Sequence, residues 1–223
     1  MGYNEKHMEK NNIGWPNSSF FGASIALLLV GGFLSYMLYT KIDEKNRQSL
    51  VKNAAMMSRT IDKESLFALK GVAGEQDTDA YKVVKGSLQE GLRIDNDIRF
   101  TYLMTKNDRD ELVFMADSEE VGADLESLPG DVYYEATKAM KGVFETGKGL
   151  AEGPDRDRWG VWVSSYYPVK DVDGKVIAIL GVDIPANNYI FDIIVYSLFP
   201  MLVAFLIIAM LFIIHLNTPR VEY

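Results

Sequence analysis

The sequence predicts an α+β domain, with a central antiparallel five-stranded sheet and a long N-terminal helix, flanked by two transmembrane helices. Three observations lead there. First, Phe20 to Tyr39 and Ile193 to Ile214 are charge-free apolar stretches. At a rise of about 1.5 Å per residue, each is about 30 Å long, the thickness of a bilayer's hydrocarbon core. Second, Trp162 to Ile184 (WVSSYYPVKDVDGKVIAILGVDI) reads as two β-strands on one tight turn. The turn aspartates Asp171 and Asp173 can bond nearby backbone, and Gly174 can take the positive φ that a hairpin demands. Third, the segments between the spans run helices first, then strand, strand, helix, short strand, strand, strand. That order, with tight connections, requires antiparallel pairing.

Taken in chain order, residues 1–19 form a polar tail, expected on the cytoplasmic side, and 20–39 the first span. Gly31, Gly32 and Pro200 are no objection to the spans, because neighbouring helices and local adjustment satisfy freed backbone groups inside a membrane. Leu50, Ala54, Met57 and Ile61 then fall at i, i+4, i+7 and i+11, the stripe of an amphipathic helix. The first span is thus expected to continue as a stalk helix that packs on the domain. The stripe also offers a seam to a second copy, making a homodimer through the stalk the expected assembly. Gly71 to Asp77 breaks the pattern, and a second helix follows with Thr78 or Asp79 as N-cap and Tyr81, Val84, Leu88 and Leu92 on one face.

Ile98 to Thr105 and Glu111 to Asp117 are β-rich and make a first hairpin. Ser118 to Gly130 is a loop, and Asp131 to Phe144 reads as a short helix through Val132, Ala136, Met140 and Val143. A brief strand near Leu150 precedes a charged loop, Gly153 to Arg158. In the closing hairpin, Val176 to Ile184 is apolar on both parities, so it is expected at the sheet's centre, covered on both faces. Residues 40–188 are therefore one domain, 193–214 the second span, and 215–223 a short cytoplasmic tail.

Charge and composition exclude several functions. The charges outside 40–188 and its flanks cancel (Lys6, Lys10 and Arg220 against Glu5, Glu9 and Glu222), so the net charge of -8 belongs to the central domain. An acidic domain is a poor partner for phosphates, which argues against nucleic acid. The chain has no cysteine, and its two histidines, His7 and His215, lie outside the domain. Ser-His and Cys-His catalysis and the common zinc sites are thereby ruled out there, and no cofactor or metal is expected. The Asp171 to Gly174 turn is a fragment of a calcium-loop pattern without its remaining ligands. Local positive-inside counting does not orient the chain, since Lys6 and Lys10 oppose Lys41, Lys45 and Arg47. Long loops translocate largely regardless of charge, so the domain is placed outside the cytoplasm.

Two spans around such a domain resemble the extracytoplasmic Cache sensor domains, a PAS-like fold of bacterial and archaeal histidine kinases, chemoreceptors and diguanylate cyclases. The resemblance covers roughly Thr40 to Tyr189. It rests on Pro168-Val169, Asp171-x-Asp173-Gly174 and Gly181-Val182-Asp183-Ile184, with Asp157-Arg158-Trp159-Gly160 similar to the entry to the ligand-lining strand. It implies a sensor that binds a small ligand (an amino acid, amine or small carboxylate) and relays it across the membrane. The resemblance also implies that a signalling module follows the second span; this sequence stops at Tyr223, which reads as a fragment or as a sensor without its own output.

The residues sort accordingly. After Trp159, Val161 and Val163 share one parity, suited to the long helix, while Trp162, Ser164 and Tyr166 share the other, suited either to a ligand wall or to an aromatic core. Asp183 ends a buried strand: the resemblance assigns it a ligand amino group, and the alternative is a cap on the helix starting near Pro185. Arg158 could clamp a carboxylate, or be one solvated charge in a mixed-sign loop. Tyr102, Asp117 and Tyr133 are pocket candidates by position, with Tyr133 and Tyr134 on the expected lid helix. Two further readings compete. One is a ligand-free adaptor that pairs with a partner receptor, which a sealed, aliphatic pocket would favour. The other is a hydrolase using Asp155 and Asp157, supported only by their proximity in sequence.

Overall fold

Helix α1 (Asn17–Met57) is the longest element of the computed structural model, which describes residues 17–93 and 95–217. The outer parts of both predicted tails, 1–16 and 218–223, lie outside the described residues. The chain divides into an apolar unit, up to Lys41 and from Ile194, and a second unit of residues 42–193. The helical segments Ser18–Met57 and Ala186–Asn217 each hold a stretch long and apolar enough to cross a membrane, with mean hydropathies over 18 residues of 1.9 and 2.8. Within the apolar unit, a Cβ added at Gly31 would come within 2.9 Å of the Ala204 Cβ. Small residues let the two backbones approach closely there, the usual device for packing helices in lipid.

The second unit is built on a five-stranded antiparallel sheet of order β2-β1-β5-β4-β3, from β1 (Phe100–Lys106), β2 (Leu112–Asp117), β3 (Leu150–Arg156), β4 (Val161–Lys170) and β5 (Val176–Pro185). As its two apolar parities predict, β5 is central, and Ala178 to Asp183 are all buried. One face carries α1 and α3 (Asp79–Leu92): Leu50, Ala54 and Met57 pack with Tyr81, Val84 and Leu88 against Leu103, Val163, Leu180 and Val182. Thr78 caps α3, its hydroxyl accepting from the Tyr81 N–H at 3.2 Å. The stripe on α1 is therefore covered by its own sheet. On the opposite face Met140 and Val143 of α4 (Lys138–Thr146) pack on Phe100, Tyr102, Met104, Phe114, Tyr166 and Ile179.

Three elements differ from expectation. The helix expected over Asp131 to Phe144 begins only at Lys138, capped by Thr137, whose Oγ1 accepts from the Met140 N–H at 2.9 Å. Before it, the chain runs along β2: Phe114 N–H donates to Asp131 O at 3.0 Å and Tyr133 N–H to Leu112 O at 2.9 Å. An unpaired strand edge outcompeted the local helical pattern, so Tyr133 and Tyr134 sit on no helix. The charged loop expected from Gly153 to Arg158 is mostly strand, since Asp155 pairs with Trp162 and Arg156 with Val161 beyond an irregularity at Gly153-Pro154. Proline is tolerated there because β3 is an edge strand that needs no ladder donor on its outer side. Finally, α1 stops at Met57, so Ile61 continues the buried stripe from a turn, and a six-residue helix, α2 (Lys63–Ala68), follows. Six residues are too few to show a period.

Candidate functional site

A cavity of about 350 Å³, mouth included, opens between the sheet face opposite α1 and the loops above it. Strand alternation sets its floor: Phe100, Tyr102 and Met104 of β1 face the cavity side, while Thr101 and Leu103 face the other way. Phe114 and Asp117 come from β2, and Leu125 and Ser127 from the loop after it. Tyr133, Asp157, Trp159 and Asp183 complete the wall.

The rings form a continuous surface. Trp159 stacks on Tyr133 with centroids 6.1 Å apart, and meets Phe114 edge-to-face at 5.8 Å. Phe114 in turn meets Tyr102 at 5.7 Å. The turn carrying Trp159 is organised by Asp157, whose Oδ1 accepts from the Trp159 N–H (2.8 Å), the Gly160 N–H (3.0 Å) and Trp162 Nε1 (2.9 Å). Its Oδ2 accepts from the Tyr133 hydroxyl at 3.3 Å. Aspartate bonding backbone two and three residues ahead is a standard turn device; here it also aims a carboxylate at the cavity.

Asp183 is the second such carboxylate, only 5% exposed. It lies opposite Phe100 on one side and Ser164 on the other, and its Oδ1 accepts from the Tyr102 hydroxyl at 3.1 Å. Burial pushes its carboxyl up to about 7, against the lowering effect of hydrogen bonds from Ser164 and Tyr102 and with a raising contribution from Asp157. Burial, reinforced by the same carboxylate charge, pushes the Tyr102 and Tyr133 hydroxyls far up, so both stay protonated and donate. Among the described residues, no Lys or Arg forms an ion pair with Asp157 or Asp183.

Asp117 differs, because it has a cation. Lys85, buried on α3, reaches Asp117 Oδ1 at 3.0 Å and Glu126 Oε1 at 2.9 Å. Burial works against the Lys85 ammonium, but Glu126 and Asp117 outweigh it and hold its pKa above the ordinary value. Asp117 Oδ2 also accepts from the Ser127 N–H at 2.6 Å, tying the loop to the strand end; burial still raises its carboxyl.

Of the residues singled out in the sequence, Tyr102, Asp117, Tyr133 and Asp183 meet on the cavity wall. Trp162, Ser164 and Tyr166 stand one layer behind: Trp162 holds Asp157 and packs on Phe100 at 5.0 Å, Ser164 is the partner of Asp183 across the β4–β5 ladder, and Tyr166 is buried in the core. Arg158 is not among the lining residues; it pairs with Glu135 at 2.7 and 3.1 Å and lies 4.7 Å from the Trp159 ring. Asp155, offered as a catalytic partner of Asp157, is exposed on β3 and forms no part of the wall. Phe100, Phe114, Trp159 and Lys85 went unselected. The signal for Lys85 was legible, a charged residue inside the buried stripe Tyr81, Val84, Leu88.

No protein-family model matches the chain, and no curated protein matches it either. Solved structures do. The sensory domain of the Campylobacter jejuni chemoreceptor Tlp3 (CcmL) matches with a TM-score of 0.52 at 14% identity, over 78% of this chain and 66% of that one. The Tlp3 ligand-binding domain in complex with L-valine matches with a TM-score of 0.50 at 14% identity and the same coverage, and the sensory domain with isoleucine bound gives 0.50 at 13% identity, again with that coverage. The chain thus spans just under two thirds of the length of these domains. It shares the fold of receptor sensory domains, as its resemblance to Cache domains implied.

Proposed function

We propose that this chain is the sensory region of a membrane receptor. Residues 20–39 and 193–214 span the membrane, 40–188 form an extracytoplasmic domain, and 1–19 and 215–223 lie in the cytoplasm. The domain binds a small molecule bearing a protonated amine and relays its presence across the membrane, as in the sensory part of a histidine kinase, chemoreceptor or diguanylate cyclase. The observation that carries this reading is Asp183: a buried carboxylate without an ion-pair partner among the described residues, on the wall of an aromatic cavity. Burying a charge without a partner is costly, and a cationic ligand supplies the partner. The fold supports the reading, since the Tlp3 domains that share it are named for sensing and were solved with L-valine and isoleucine. The cavity is also open and aromatic rather than sealed and aliphatic, unlike the one an adaptor would carry.

The relay follows from chain continuity. β5 ends at Pro185 and α5 (Ala186–Ser197) begins at the next residue, so a ligand that moves Asp183 acts three residues from the helix leading into the second span. The signal can be no larger than the ligand's differential affinity for two domain shapes, typically about 1 to 3 kcal/mol. A homodimer through the stalk would use faces of α1 other than the stripe that its own sheet covers. The test is thermal shift on the full chain in detergent against amines, amino acids and small carboxylates. A cationic hit that disappears in Asp183→Asn is expected; a flat screen on well-folded protein returns weight to the adaptor reading.

A further inference from the structure

We infer that the cavity selects small organic ammonium ions that carry no carboxylate, so that amines rather than amino acids are its ligands. The inference rests on the sensor reading above and narrows its ligand class. An amino acid brings two opposite charges into the site, and each must meet a partner once water is excluded. This wall meets only one of them. Asp157 and Asp183 are carboxylates without an ion-pair partner among the described residues, whereas the neighbouring cations Lys85, Arg99 and Arg158 are each paired with another carboxylate. Lys85 is buried behind Asp117, held between that carboxylate and Glu126. Arg158 is paired with Glu135 and lies 4.7 Å from the Trp159 ring, and Arg99 pairs with Glu119 while its guanidinium lies 4.0 Å from the Phe100 ring.

Most of the neutral donors are engaged in the same way. The Tyr102 hydroxyl is given to Asp183, the Tyr133 hydroxyl and Trp162 Nε1 to Asp157, and the Ser127 N–H to Asp117. A ligand carboxylate would therefore meet carboxylates, ring faces and no cation, with only the Ser127 hydroxyl and Trp159 Nε1 left as neutral donors among the described residues. An ammonium ion finds the reverse: two carboxylates, and the π faces of Tyr102, Phe114, Tyr133 and Trp159, which attract cations. Met104 and Leu125 offer apolar contact to a short aliphatic tail.

The test is calorimetric titration of the full chain in detergent at pH 8, using pairs that differ in the carboxylate: isobutylamine against L-valine, and choline against glycine betaine. At least one ammonium should bind about tenfold or more tightly than its carboxylated partner, the size expected when a buried carboxylate meets neutral donors and no cation. Asp183→Asn should abolish that binding, with its melting curve checked alongside. Arg158→Ala should leave the ratio unchanged. A carboxylated partner that binds as tightly overturns the inference and leaves the sensor reading standing. So does a ratio that shifts in Arg158→Ala, which would show the guanidinium reaching a ligand carboxylate. Binding of neither ammonium also overturns the inference, and the sensor reading falls with it only if the wider panel is flat as well.

Discussion

The Tyr102 hydroxyl donates to Asp183 Oδ1 at 3.1 Å, and the Tyr102 ring reaches it by passing over Gly181, its partner in the β1–β5 ladder. A Cβ on residue 181 would overlap the Tyr102 ring atoms Cε2 and Cζ, backed by no flexible chain end that could give way. Gly181→Ala is therefore expected to displace the ring, at a cost of about 1 to 3 kcal/mol from overpacking, and to release Asp183. Tyr102→Phe keeps the ring and removes only the donor, at about 1 kcal/mol. Urea unfolding and amine titration of both variants check this. If Gly181→Ala is as stable as the parent and binds amines equally well, the ring position does not organise the site.

The raised carboxyl of Asp183 makes stability and binding depend on pH in a definite direction. Its folded value of about 7 lies above the ordinary carboxylate value, so the unfolded chain gives up this proton first as pH rises. The stabilising contribution is complete below about pH 4 and lost progressively up to about pH 7. A shift of about three units corresponds to about 4 kcal/mol as an upper bound. Asp183→Asn should thus be more stable than the parent above pH 7, the difference shrinking as pH falls toward 4. An ammonium ligand favours the ionised form, so binding near pH 7 should release protons and weaken as pH drops. Calorimetry in buffers of different ionisation enthalpy reads that release directly, and an absence of proton release at pH 6.5 would contradict the assignment.

What the sequence showed and what it hid divide along physical lines. The centrality of β5 was legible because a strand buried on both faces is apolar on both parities, and the α1 and α3 stripes because buried helix faces repeat every 3.6 residues. Asp183 stood out as a charge ending such a strand. The path of Tyr133 was not legible: Val132, Ala136, Met140 and Val143 fit a helix, and only the free edge of β2, a tertiary fact, pulls the first part of that segment straight. Asp157 was named only beside Asp155 and at the head of the Asp157 to Gly160 segment, not as a wall residue, since nothing in a run of mixed charges says which one turns inward. The ion pair of Arg158 with Glu135 joins residues far apart in sequence, beyond any local pattern.

Lys85 fastens the cavity's loop to the helical face of the sheet. Its ammonium joins Asp117, at the end of β2, to Glu126, and those two carboxylates accept the Ser127 and Gly122 N–H groups at 2.6 Å each. Lys85→Met leaves the buried Asp117 and the half-buried Glu126 without their cation, and removing one partner of a buried pair such as Lys85–Asp117 costs about 3 to 5 kcal/mol. The expected result is a destabilised domain whose 118–130 loop is cut first by protease, with Asp117→Asn in the same chain restoring part of the stability. A Lys85→Met variant within about 0.5 kcal/mol of the parent would reduce the cluster to a surface contact.

At the base of the domain, Tyr189 on α5 ties that helix to α1: its hydroxyl bonds Asp43 Oδ1 at 2.8 Å and Asp43 O at 3.1 Å. Arg47 pairs with the same carboxylate at 2.9 Å and donates to Gly153 O at 2.8 Å, joining β3 to the cluster. Burial works against the Asp43 carboxylate, yet Arg47 and Tyr189 outweigh it and hold its pKa below the ordinary range. Because α5 follows Asp183 so closely, this tie is where a change at the cavity meets the helix leaving the domain. Tyr189→Phe removes the hydroxyl at about 1 kcal/mol and should leave amine affinity within about twofold, since the residue lines no part of the cavity. Ligand-induced protection from hydrogen exchange along Ala186 to Ile193 should be lost in the variant. Protection that persists would place the coupling in β5 alone and make the Tyr189–Asp43 bond a structural contact without a part in the relay.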